Sequence, residues 1–332
     1  IPVQEFLLPS TSNVITALLF GTTYALDDPR RKRLVQLVTT IVLRAISGPI
    51  VNWMPDWLTE ICSALPFSRM GAIRGARQAL VAFVTDRVQE HNLTLQKDIN
   101  RDFIDGYLKK IKENHNESNS PFQEKHLLGN AVDFYIAGTN TSASFIHWLL
   151  AVCAQKPDTV QSRIQREIDD HVGRERQPAW EDCKKMHFTM ASVFEILRWK
   201  NPLPVTNARG TQEDTILNGY IIPKGTMVMS NIMAVHRDPT LWERPDDFDP
   251  TRFLSADGSC PAKRPEEIMT FSVGKRMCPA DKLATVEIFL YVASLLQKFT
   301  VFPEEGKRMP CLDSLDVMKT HPAVRKMRFV PR

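Results

Sequence analysis

Phe271-Ser272-Val273-Gly274-Lys275-Arg276-Met277-Cys278-Pro279-Ala280 is the stretch on which the reading of this chain turns. A glycine-containing loop delivers one cysteine to the start of a helix-patterned segment over 280–298. Pro279 suits the first helical position, where its missing N–H costs nothing. Cys278 then sits at the positive end of that helix, beside backbone N–H groups that favour a thiolate and hydrogen-bond to it. Arg276 adds positive charge, and Gly274 lets the backbone turn or come close to something flat. With no His or second Cys nearby in sequence, the cysteine does not close a tetrahedral zinc site. A thiolate is, however, sufficient as a single axial ligand to haem iron. Taken alone, a cysteine at a helix start is more often plain core packing.

Around that loop the composition is ordinary. Of 332 residues, 43% are apolar and 24% charged, which supports a buried core and excludes wholesale disorder. Forty-two basic and 38 acidic side chains leave a net charge of +4, too weak to imply nucleic acid. The densest basic run, Arg30 to Arg33, reads as the solvated first turn of an amphipathic helix. The six cysteines are scattered without a C-x-x-C, as reduced cysteines are. Glycosylation triplets occur at Asn92, Asn116 and Asn140, the last inside an apolar helix where no glycan fits. No run reaches the ~18 apolar residues of a membrane span, and no signal-peptide pattern opens the chain. The first residue is Ile1, so a piece of a longer protein is expected.

Periodicity predicts helices over 11–20, 30–46, 70–91 and 98–114, the last starting at Asp98. Turn chemistry at Gly48-Pro49 and from Trp53 to Trp57 interrupts them. The longest pattern, 122–154, is apolar on several faces and is expected to run through the core. Helices follow over 157–171, 180–184 and 187–200. Two short strands are expected within 215–226, and 226–235 reads as a third strand or a helix start. Residues 237–270 lack periodicity, and the tail after the 280–298 helix returns to short strands. The fold class is mainly α with small β-sheets, without βαβ repeats.

Two further constellations carry chemistry. Glu195 and Arg198 share a helix face, ordinarily a surface pair, but Phe194, Ile196, Leu197 and Trp199 suggest burial and further partners. Ala137-Gly138-Thr139-Asn140-Thr141-Ser142 places hydroxyl and amide groups mid-helix, where they compete for backbone hydrogen bonds and open the helix locally. A bland polar patch in the core is the competing reading.

The loop resembles the cytochrome P450 haem loop, Phe-x-x-Gly-x-Arg-x-Cys-x-Gly, at Phe271, Gly274, Arg276 and Cys278, with Ala280 for the final glycine. The ten residues together outweigh the packing reading of Cys278. Glu195-x-x-Arg198 resembles the Glu-x-x-Arg of that family, and Arg252 in Pro250-Thr251-Arg252-Phe253 resembles the third member of its network. Residues 137–142 resemble the distal helix, with Asn140 where an acid is usual. Asparagine holds water but releases no proton at neutral pH. Arg101-Asp102-Phe103-Ile104-Asp105 and Gly173-Arg174 resemble the microsomal, family-2-like branch.

The resemblance implies a cytochrome P450 fold and one haem domain over 1–332, incomplete at its N-terminus: the anchor, the first helices and a Trp-x-x-x-Arg propionate contact would precede Ile1. It implies haem b as cofactor, with Cys278 as the iron ligand. Arg276 and Arg209 are then propionate contacts, and Glu195, Arg198 and Arg252 the scaffold of the loop. Thr141 would handle protons with Asn140, Ala137 and Gly138 would leave space for O2 and substrate, and Val205 and Thr206 would line the pocket. The activity implied is monooxygenation of a lipophilic small molecule. NADPH–cytochrome P450 reductase would supply the electrons, with cytochrome b5 an optional partner, at the cytosolic face of the endoplasmic reticulum membrane. A reductase-independent isomerase or dehydratase, and a non-catalytic haem- or lipid-binding relative, stand as alternatives.

Overall fold

A computed structural model describes residues 1–46, 54–65, 67–114, 120–261, 263–312 and 322–332. The expected breaks at Gly48-Pro49 and Trp53, and the triplet at Asn116, lie outside the described residues. The chain divides into two compact units, Gln4–Ala143 and Ile1–Val3 with Ser144–Arg332.

The first unit is helical. Helix α1 (Val3–Phe20) starts well before the expected residue 11 and holds Pro9 inside it. Helix α2 (Pro29–Ile46) follows expectation. Helix α3 (Asp56–Ala64) does not: Pro55 and its neighbours read as a turn, but Pro55 occupies the N-cap and starts a helix. Helix α4 (Arg69–Thr94) is capped by Ser68, whose hydroxyl accepts the Gly71 N–H, and buries Ala76, Leu80, Val84 and Val88 at four-residue spacing. Helix α5 (Phe103–Glu113) starts five residues after its expected beginning, because Asp102 rather than the exposed Asp98 accepts the free Asp105 N–H at 2.9 Å. Helix α6 (Glu124–Gln155) is the longest and crosses from this unit into the next. Thr11 donates to the Thr139 carbonyl at 2.7 Å, and Ser12 lies 2.5 Å from the Tyr135 hydroxyl, so α1 is seated on α6 by buried polar contacts.

In the second unit, the expected 157–171 helix is two pieces: a wide π-turn over Pro157–Gln161, then α7 (Ser162–His171). The widened turn brings Gln161 inward, where its amide donates to Val301 O at 2.9 Å and accepts from Val301 N at 2.6 Å. A short 3-10 helix spans Trp180–Lys184. Helix α8 (His187–Trp199) is buried at every residue from Phe188 onward.

Three two-stranded antiparallel sheets follow: β1 (Arg209–Gly210) with β4 (Met227–Val228), β2 (Thr215–Leu217) with β3 (Tyr220–Ile222), and β5 (Phe299–Pro303) with β6 (Met327–Pro331). Asn218 and Gly219 both take positive φ, 49° and 83°, which closes the β2–β3 hairpin tightly. Both readings of 226–235 are realised in part, as β4 and then α9 (Ile232–His236). The described part of the 237–270 stretch holds one 3-10 turn, Pro250–Phe253; α10 (Asp281–Lys298) follows, and a four-residue α11 (Pro322–Arg325) precedes β6. The fold class is as the pattern predicts, helical with small antiparallel sheets. No helix among the described residues is long and apolar enough to cross a membrane.

Candidate active site around Cys278

The site is built on a buried ion network. Glu195 and Arg198, one helical turn apart on α8, are fully buried and form two parallel hydrogen bonds of 2.8 Å. Glu195 Oε1 also accepts from Arg252 Nε at 3.2 Å and from Asp249 N at 2.9 Å. Arg198 uses all five of its N–H donors: the remaining three go to the carbonyls of His236, Pro245 and Asp247 at 2.8, 2.8 and 3.1 Å. Glu195, Arg198 and Arg252 thus meet as the sequence suggests, and the aperiodic stretch takes its shape from donors on α8.

Two hydrogen bonds carry this frame to the loop. Thr270 donates its hydroxyl to Leu197 O at 2.6 Å, and Met269 N donates to His236 Nε2 at 2.9 Å. Phe271, buried, comes next. Cys278 N then donates to Phe271 O at 2.8 Å, closing the loop on itself. Within it, Gly274–Arg276 form a 3-10 turn, and Ser272 and Gly274 take φ of 61° and 75°. A Cβ on Gly274 would meet nothing within 4 Å, so the glycine is required by its left-handed backbone and not by crowding.

Helix α10 begins at Asp281 with Ala280 as N-cap, so Pro279 lies before the helix and not at its first position. Cys278 is correspondingly three residues ahead of the first helical residue, separated from it by a turn. Ala280 has φ −102°, ordinary for any residue, which explains why alanine serves where the motif has glycine.

Arg276 is exposed, and its carbonyl accepts from Arg209 Nη2 at 3.2 Å, so the two expected propionate contacts are neighbours. Strand β1, which carries Arg209, continues a segment running antiparallel to 227–231: Val205 bridges Asn231, and Thr206 exchanges hydrogen bonds with Ser230 at 2.9 and 2.8 Å. Val205 is exposed and Thr206 half-buried.

On α6 the polar run does not open the helix. Thr139 and Thr141 donate to the carbonyls of Tyr135 and Ala137, each at 2.8 Å, and helical structure continues through 124–155. The hydroxyls add to the ladder's acceptors without displacing its donors. Asn140 and Thr141 are half-buried, and Ala137 is exposed. Gly138 is glycine for a packing reason: a Cβ there would stand 2.6 Å from Ile15 Cδ1, so α1 approaches α6 closely at this point.

Two features escaped the sequence. His236 anchors Met269 from 33 positions away, a contact no local pattern announces. Burial, with help from Arg198, pushes its pKa down to about 4, which keeps the ring neutral and Nε2 free to accept. His91, Asp102 and Asp105 form a group of potential metal ligands in the first unit. Their atoms are already committed: His91 to Asp102 and Arg87 O, Asp102 to the α5 cap, and Asp105 to Arg101 at 2.7 and 2.8 Å. A cavity of about 350 Å³ bordered by Lys156, Arg163, Phe188, Arg244 and Asp249 contains none of the expected site residues.

The described residues thus form a helical fold with small sheets, in which the cysteine loop hangs from a buried Glu–Arg–Arg network. A family model described as Cytochrome P450 matches residues 1–326, and the chain belongs to that family. Human Cytochrome P450 2U1 is 34% identical over 303 residues, covering 90% of this chain and 54% of the relative. Human Cytochrome P450 2J2 is 33% identical over 302 residues, 90% of this chain and 58% of its own length. Rat Cytochrome P450 2J3 is 31% identical over 323 residues, 97% of this chain and 63% of the relative. The chain thus spans between half and two thirds of the length of these relatives.

The residues around Cys278 fit the haem that the family implies. The loop offers one half-buried thiol, a soft donor, and two exposed apolar side chains, Val273 and Met277. Arg209, whose guanidinium donates to the Arg276 main-chain carbonyl, and Arg276 itself supply two cations at the loop. One sulfur donor, apolar contacts and two cations suit a flat apolar macrocycle with carboxylate arms.

Proposed function

We propose that residues 1–332 form a cytochrome P450 haem domain and that the protein is a haem-thiolate monooxygenase acting on a lipophilic small molecule. The observation that carries this is the Cys278 loop, closed on Phe271 O and tied through Met269 and Thr270 to the buried network. Haem held by a thiolate supplies oxygen activation, with electron density from sulfur favouring O–O cleavage.

The chain's residues have separate tasks in this reading. Cys278 ligates, Phe271 and Gly274 shape the loop, and Arg276 and Arg209 neutralise the carboxylate arms. Glu195, Arg198 and Arg252 keep the loop's base fixed without taking part in proton transfer. Thr141, whose hydroxyl donates to Ala137 O, keeps lone pairs free to accept and pass a proton through solvent, with Asn140 orienting water. Exposed Ala137 offers room to ligands, and Val205 and Thr206 give the pocket an apolar wall with one polar handle. NADPH–cytochrome P450 reductase as donor, cytochrome b5 as optional partner, and the cytosolic face of the endoplasmic reticulum membrane follow from the same resemblance.

The test is spectroscopic and chemical. The reduced carbonyl complex of the haem-loaded protein is expected to show the red-shifted Soret band of a thiolate ligand, and Cys278→Ala to abolish it. A wild-type band at the position of a neutral or nitrogen ligand refutes the assignment. Asn140, in place of an acid, favours a second reading, rearrangement of an already oxygenated substrate. Turnover with NADPH omitted would establish that reading and remove the monooxygenase one.

A further inference from the structure

Arg264 lies seven residues before the cysteine loop and outside every motif recognised in the sequence. Its guanidinium carbon stands 4.7 Å from the centroid of the Phe271 ring, and Nη2 reaches Asp281 Oδ2 at 4.0 Å. Phe271 is the first residue of the loop, and Asp281 the first of α10, three after Cys278. One side chain therefore touches both feet of the loop that carries the sulfur.

The surroundings make this contact consequential. The Arg264 and Asp281 side chains are only 20% and 25% exposed, so the pair is screened less than a surface one. Burial lowers the pKa of Arg264, while the charges of Asp281 and Cys278 work against that shift. Arg264 makes no other hydrogen bond or ion pair with a described residue. Its planar cation suits an aromatic face, which an ammonium covers less well. Inside the loop the closing contact is the single Cys278 N–H to Phe271 O bond, and the backbone between is held at two positive φ angles. A loop so closed gains from an outside brace.

We propose that Arg264 is a positioning residue for Cys278, a clasp that spans Phe271 and Asp281 and so fixes where the sulfur points. The proposal rests on the reading of Cys278 as the haem ligand, and its test separates the two. Amide hydrogen exchange of 271–281 is measured in the haem-loaded protein for wild type, Arg264→Met, Arg264→Lys and Cys278→Ala, together with the reduced carbonyl spectrum and the reduction potential of each.

Arg264→Met is expected to speed exchange of the Cys278 amide at least tenfold, convert part of the thiolate-type Soret band to the neutral-ligand type, and move the potential. Arg264→Lys, which keeps the charge and loses the planar stack, is expected to fall between. Cys278 exchange within twofold of wild type in Arg264→Met overturns the clasp. So does an Arg264→Lys variant no better than Arg264→Met. Should Arg264→Met fail to fold, Arg264→Lys against wild type decides the matter on the same exchange criterion. Cys278→Ala is expected to lose the thiolate band; if it keeps that band, the ligand assignment fails while the exchange result still judges the clasp.

Discussion

At the scale of single residues, Glu195 is the hinge of the site. Its two oxygens accept from Arg198, Arg252 and Asp249, with its own side chain and that of Arg198 at zero exposure. Removing one charge from such a pair strands the other, a cost of about 3–5 kcal/mol. Glu195→Gln is therefore expected to lower unfolding stability by about that amount in a denaturant titration; a change below about 1 kcal/mol would show the network to be solvent-compensated. The pair itself was legible, because residues three apart in a helical pattern share a face, and Arg252 was legible from the family resemblance. His236 and Thr270 were not. They act through a main-chain amide and a carbonyl, 33 and 73 positions away, and main-chain partners leave no trace in side-chain identity.

At the scale of elements, the meeting of α1 and α6 shows one interaction pulling two ways. Gly138→Ala gains about 1 kcal/mol of helix propensity but sets a Cβ 2.6 Å from Ile15 Cδ1, and overpacking of this kind costs ~1–3 kcal/mol. The single variant is expected to be destabilised modestly. In an Ile15→Ala background, where Cδ1 and the Cγ1 at 2.9 Å are both gone, the same change is expected to turn stabilising; thermal unfolding of the four proteins checks the sign, and a Gly138→Ala cost unchanged by Ile15→Ala would refute the contact. The sequence located nearly all the long helices, because apolar periodicity over many turns is hard to mimic. It misplaced beginnings: α5 by choosing Asp98 over Asp102, α3 by reading Pro55 as a stop, and α10 by placing Pro279 inside it. Caps are decided by a single hydrogen bond, which periodicity does not encode.

At the scale of the molecule, the second unit carries a built-in acid sensitivity. His147, whose Nε2 lies 2.8 Å from Val324 O, and His236 are both buried, and burial pushes the pKa of each from 6.5 to about 4. The unfolded chain then binds protons that the folded unit refuses between those values, so stability is complete above pH 6.5 and falls as pH drops toward 4. The loss is roughly 3 kcal/mol for each histidine by the lower end of that window. Urea midpoints measured from pH 7 to 4.5 are expected to fall, with His236→Gln showing the shallower slope. An equal slope in the two proteins would mean that His236 does not resist protonation. Asp105, held low chiefly by Arg101, contributes stability that is present above the usual aspartate range and lost only at lower pH.

Arg198 has a bearing on the order in which this unit can assemble. The three carbonyls that accept from it belong to His236, the last residue of α9, and to Pro245 and Asp247 in the aperiodic stretch that follows. Until that stretch has wrapped α8, the guanidinium is either wet or buried with empty hands, so α8 cannot dry out ahead of it. A segment that looks like loose connection is thus kinetically married to the most buried helix. The two should melt, exchange and refold as one event, with no half-built state in which the helix is home and its wrapping is not.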